Sequence, residues 1–187
     1  MSSKRQEMLN QLIPVVTVIP HEYVDAILSL HEKLGNIKWT IDGDLGECLR
    51  AVQVEPEKIE LLCDTRDLEK IFTSIKDFNP TAIALVTDKL SRNAVVDGKE
   101  YPVYVRSHQL MFTLKDVKVK VKGDLQFRIG DWEWGDPLEF TPEYVYVVGK
   151  KTAVMPLSLA AQLYQGLGWM DRVQKIMHVM HYPFHQK

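Results

Sequence analysis

Three Val-Lys pairs follow one another from Val117 to Lys122. Only an extended strand puts all the valines on one side and all the ammonium groups on the other. Such a strand lays one face on an apolar core and turns the other toward something polar. This stretch therefore commits the chain to a sheet with one well-defined apolar face. Tyr101–Ser107, Leu125–Ile129 and Tyr144–Val148 share the β-rich character and are separated by Gly, Asp and Pro. They predict a strand-rich, mostly antiparallel middle.

The flanks have a different period. Tyr23, Val24, Ile27, Leu28, Leu30 and Leu34 have helical spacing before a stop at Gly35, and Leu68, Ile71, Phe72 and Ile75 mark a second helix over 67–78. Short strands are expected over 38–41, 58–63 and 81–86, and Asp44 is placed to cap a helix over 45–51. Beyond Pro156, residues 157–167 and 170–180 form two amphipathic helices about Gly168, a helical hairpin. The predicted fold class is α/β (α+β), a mixed sheet flanked by helices with a C-terminal helical hairpin. Residues 1–150 form the core, and 151–187 form a helical segment packed on it.

The formal net charge of the 187 residues is -2, so any affinity for nucleic acid must come from a local basic site. Cys48 and Cys63 stand apart in apolar runs, as buried thiols do. The N-terminal apolar run is broken by Pro14 and lacks a small-residue cleavage site, and no stretch has the length of a membrane span. A soluble, cytoplasmic protein is expected.

Ile41–Leu62 carries the chemistry. It predicts a strand end, a turn at Asp42-Gly43-Asp44, a short helix, and a strand bearing Lys58-Ile59-Glu60. Later come the Gly-Asp of 123–124, Pro-Leu-x-Leu from Pro156, and Leu-Gly-x-x-Asp-Arg ending at Arg172. From Lys38 to Ile176 this order resembles the minimal nucleotidyltransferases of the DNA polymerase β superfamily, including relatives of the toxin type. In that family a Gly-Gly or Gly-Ser turn opens the first helix, an acid-x-acid pair lies on the second strand, and a third carboxylate follows on a later strand.

The resemblance places Gly43 at the first turn glycine and Asp44 where Gly or Ser is expected. Glu60 matches the second carboxylate and is implied as the catalytic acid. Lys58 stands where the first should be, and Lys120 where the third should be. The resemblance implies Mg²⁺ if catalysis is retained, held by Glu60 with Asp124 as substitute ligand, and otherwise no cofactor. It also implies a nucleotide site at Gly43, Asp44, Lys58, Lys120, Arg172 and Lys175. An ammonium has no lone pair and cannot ligate a metal, so the metal motif is degenerate.

Two functions follow as expectations. One is a nucleotidyltransferase-like protein with a degenerate site that binds a nucleotide or nucleic acid. The other is a non-catalytic protein-interaction or oligomerisation module. The lysine face of 118–122 fits a phosphate site or a solvated strand face. Trp132-Glu133-Trp134 fits a stacking surface or the edge of a core. His178, His181 and His185 fall on one helical side, as metal ligands or as a polar terminus.

Overall fold

The computed structural model describes residues 19–181. The first helix, α1 (His21–Leu34), ends at Gly35, whose φ is +53°. Then come β1 (Thr40–Asp42), α2 (Gly43–Cys48), β2 (Ile59–Cys63), α3 (Thr65–Ser74) and a 3₁₀ turn over Lys76–Phe78. The next elements are β3 (Ala84–Lys89), a hairpin of β4 (Ala94–Val96) and β5 (Lys99–Tyr101), then β6 (Val103–Leu114) and β7 (Val117–Ile129). The chain continues through β8 (Glu143–Val147), β9 (Lys150–Val154), α4 (Leu157–Gly166) and α5 (Met170–His181). His185 lies outside the described residues.

Seven strands form one mixed sheet in the order β3-β6-β7-β2-β1-β9-β8. β2 is parallel to β7 and β1 to β9, and the other neighbours are antiparallel. The predicted fold class is the observed one. β9 was not anticipated from sequence: Lys150–Val154 pairs with both β1 and β8, so the sheet continues past residue 150. Asp44 does not cap α2. It lies inside the first turn, because α2 begins one residue earlier, at Gly43.

The two faces of the sheet carry separate cores. Ile27 and Leu30 of α1 and Leu68 and Ile71 of α3 pack against Leu110, Val119 and Val121. On the other face, Leu157 and Ala160 of α4 and Ile176 of α5 pack against Leu62, Val105 and Leu125. Each Leu, Ile or Val among them, fully buried, contributes about 1.5–3 kcal/mol. The valines of 117–121 are thus core residues, as their alternation predicts.

β7 is longer than either strand expected within it. Gly123-Asp124 looks like a break in sequence, but the ladder runs through it. Arg106 faces Gln126 while His108 faces Gly123, so β7 has one residue too many and forms a bulge. Asp124 takes φ +51°. Beyond it Leu125 turns to the face already occupied by Leu62 and Lys122, and that face changes from polar to apolar. Among the described residues no helix is long and apolar enough to cross a membrane.

Candidate functional site

β1 delivers Asp42 to its end, and the antiparallel register sets it directly opposite Glu60 on β2. The next residue must turn the chain at once into α2. Gly43 does so at φ +63°, and a Cβ there would lie 2.8 Å from Glu60 Oε2. The left-handed backbone angle calls for glycine, and a Cβ would in addition push the Glu60 carboxylate aside. Gly43 and Glu60 thus lie side by side.

Lysines surround these two acids. β7 runs beside β2 with Glu60 next to Lys120 and Leu62 next to Lys122. Lys122 reaches back along the sheet, its Nζ 2.6 Å from Asp42 Oδ2 and 3.4 Å from Glu60 Oε1. Its side chain is only 8% exposed, against 10% for Asp42 and 22% for Glu60. Burial alone would lower the pKa of this ammonium, but the Asp42 and Glu60 carboxylates more than offset it and hold the value above the ordinary one.

Lys120, the nearer neighbour of Glu60 in register, turns instead to Asp88 of β3, with Nζ 2.6 Å from Oδ2. Gln109 Nε2 donates to the same oxygen at 3.1 Å. The Lys120 bond above all, against some desolvation, lowers the Asp88 pKa. Lys58, one residue before β2, is 43% exposed and lies 3.6 Å from Glu60 Oε1. One face of the sheet thus alternates lysines 58, 120 and 122 with acids 42, 60 and 88.

The remaining predicted residues fall elsewhere. Arg172 of α5 donates to Asp44 Oδ1 at 2.6 Å and to Glu47 Oε2 at 2.8 Å, and Tyr164 Oη donates to Glu47 Oε1 at 2.6 Å. Glu47 is 1% exposed. Burial raises its pKa, and the Tyr164 hydrogen bond and Arg172 charge counter that only in part. Arg172 is engaged in docking α5 onto α2. Lys175 donates to the Gln53 carbonyl at 3.2 Å. Asp124 lies beyond Lys122 on β7, at the bulge, and is exposed.

The structure therefore gathers Gly43, Lys58, Glu60 and Lys120 in one place, joins Asp44 to Arg172 in a second, and leaves Lys175 and Asp124 outside both. Sequence reasoning missed Asp42, Glu47, Asp88 and Lys122. For Lys122 the alternation gave the face but not the partners.

A divalent ion of the Mg²⁺ type needs several free oxygen ligands in octahedral array. Asp42 and Glu60 already share an ammonium, and two of the three carboxylate positions implied by the resemblance hold lysine. Among the described residues no group of three or more His, Cys, Asp or Glu side chains is arranged to hold a metal. The donor set does not fit the two-metal arrangement. From Lys122 a groove of about 1290 Å³ leads away past Trp39, Leu62, Leu125 and Phe140.

No protein-family model matches the chain, and no curated protein matches it either. Among solved structures, the fold matches that of a "putative nucleotidyltransferase (TM1012) from Thermotoga maritima" with a TM-score of 0.61 and 22% identity, covering 87% of this chain and 95% of that one. The lincomycin-bound lincosamide antibiotic adenylyltransferase LnuA gives 0.46 and 12%, covering 87% and 98%. The first likeness establishes a nucleotidyltransferase-like fold.

Proposed function

We propose that this chain is a nucleotidyltransferase-like protein whose cleft binds a nucleotide-type anion without metal and does not transfer nucleotides by two-metal chemistry. One observation carries the reading. The face that would have to hold the ions presents Lys58, Lys120 and Lys122, each within ion-pair distance of an acid of the same face. Phosphoryl transfer through two metals needs carboxylates free to clamp both ions, and these are neutralised internally.

Support for anion binding comes from the exposed end of the lysine-bearing sheet face. Extending the β2–β7 register by one step from Ile59–Val119 sets Lys58 beside Lys118. Both residues are exposed. Two neighbouring ammonium groups make a local attraction for phosphate that the chain's overall charge does not supply.

The test is calorimetry of ATP binding in EDTA and in Mg²⁺, with a labelled-ATP transfer assay alongside. Binding of equal strength in both buffers, weakened several-fold by Lys58→Asp, is expected, with no transfer above background. Metal-dependent transfer abolished by Glu60→Gln would overturn the proposal. A second reading, an interaction module, is favoured by the sheet edge at β8, where Tyr144 and Tyr146 are 53% and 47% exposed. ATP binding in neither buffer is the result that selects it.

A further inference from the structure

We infer that Lys122 is a tethered counter-ion: Asp42 and Glu60 form a cation receptor, and the chain fills it with its own side chain. The inference deepens the reading above and rests on it for the location of the cleft. Asp42 and Glu60 face each other across β1 and β2. Directly opposed residues of an antiparallel pair have Cβ atoms about 5 Å apart. Two carboxylates so placed, largely out of water, repel each other and favour whatever positive charge can lie between them.

Three cations are near enough to serve, and the structure distinguishes them. Lys120 is next to Glu60 in register, yet its ammonium goes to Asp88. Lys58 touches only Glu60, at 3.6 Å, from a half-exposed position. Lys122 alone reaches both acids, and it alone of the three is nine-tenths buried. The two oxygens of Glu60 point different ways. Its Oε2 fills the space that a Cβ of residue 43 would take, while its Oε1 faces the lysines.

A receptor of this kind should accept a replacement when its own cation is cut away. Lys122→Ala removes the outer methylenes and the ammonium, the atoms that n-propylammonium would restore. The variant leaves two carboxylates, that of Asp42 buried and that of Glu60 partly so, around the resulting space, an arrangement of oxygens that a hard divalent ion also favours. The probes are therefore n-propylammonium chloride, with n-propanol as the uncharged control, and Mn²⁺ alone.

Lys122→Ala is expected to melt below the wild type and to regain stability with n-propylammonium but not with n-propanol. It is expected to bind Mn²⁺ at least about tenfold more tightly than the wild type, and to lose that binding when Asp42→Asn is added. A folded Lys122→Ala protein that responds to neither cation, or that binds Mn²⁺ no better than the wild type, overturns the inference. If Lys122→Ala does not fold, Lys122→Met keeps the stem and removes the charge. Adding Asp42→Asn to Lys122→Met should then restore stability, and a failure to do so overturns the inference equally. Metal-dependent transfer by the wild type would instead overturn the functional reading, so the two failures are separable.

Discussion

His31 shows how one partly buried ring can set a pH limit on the fold. Its Nε2 lies 2.9 Å from Thr152 Oγ1, and its ring packs on Trp39 with centroids 4.9 Å apart. Burial, assisted by the charge of Lys150, lowers its pKa below the ordinary 6.5. The unfolded chain then takes up the proton first on acidification. The stability that depends on a neutral His31 is complete above 6.5, falls as the pH drops toward the lowered folded value, and is gone below it. Melting temperatures measured between about pH 7 and pH 5 should therefore fall with pH, and less steeply in His31→Gln, which keeps a partner for Thr152. An unchanged slope in that variant would exclude His31 as the source. At this scale the sequence was partly legible. Lys58 and Lys120 were marked by their places in a known pattern. The role of Lys122 was not, because alternation makes lysines 118, 120 and 122 equivalent. Only the cross-strand neighbours distinguish them, and those depend on pairing with residues some sixty to eighty positions away. Asp42 was hidden for another reason: Asp-Gly-Asp already has an explanation as a turn.

The elements show the same division between local and distant causes. α1, α3, α4 and α5 follow from their own periodicity, and their observed bounds lie close to the expected ones. β9 did not follow, since Lys-Lys-Thr-Ala-Val has little alternation and becomes a strand by lying between β1 and β8. The joint between α4 and α5 is the element-level feature with the narrowest tolerance. Gly168 takes φ +72°, and a Cβ there would collide with the Val95 carbonyl oxygen. The neighbouring Leu167 carbonyl accepts the Val95 amide at 2.9 Å, and Trp169 Nε1 donates to the Asn93 carbonyl at 2.7 Å. The helical turn is thereby fastened to the approach and first strand of the β4–β5 hairpin. Gly168→Ala should cost roughly 2–4 kcal/mol, the sum of a left-handed backbone angle and an overpacked contact. Urea titration would measure it, and a loss below about 1 kcal/mol would mean that the hairpin moves aside freely. Because α5 carries Arg172, the same change should loosen the contacts that hold Asp44 and Glu47.

For the molecule as a whole, the sheet keeps its helices on two sides, and α4 and α5 pack on the apolar part of the face that also carries the acids and lysines. The fold class was legible because the period changes from helical to alternating and back along the chain, which constrains the layers. Strand order was not, since β2 pairing with β7 and β1 with β9 are long-range parallel contacts without a local signature. The bulge in β7 ties these scales together. Parity is the simplest way to see it. On the cleft side, β7 uses even-numbered residues through Lys122 and odd-numbered ones from Leu125 onward. Asp124 is the extra count that makes the change. A chain lacking only Asp124 would pair His108 with Gly123 and Arg106 with Gln126 as before, with Ser107 opposite Leu125, and every side chain would keep its face. Deletion of Asp124 should therefore leave the melting temperature close to that of the full chain, whereas a large drop would show that the kink itself holds the two halves of the face together. Counted this way, the polar half and the apolar half of the sheet are two runs of one rhythm, joined by a single residue that belongs to neither.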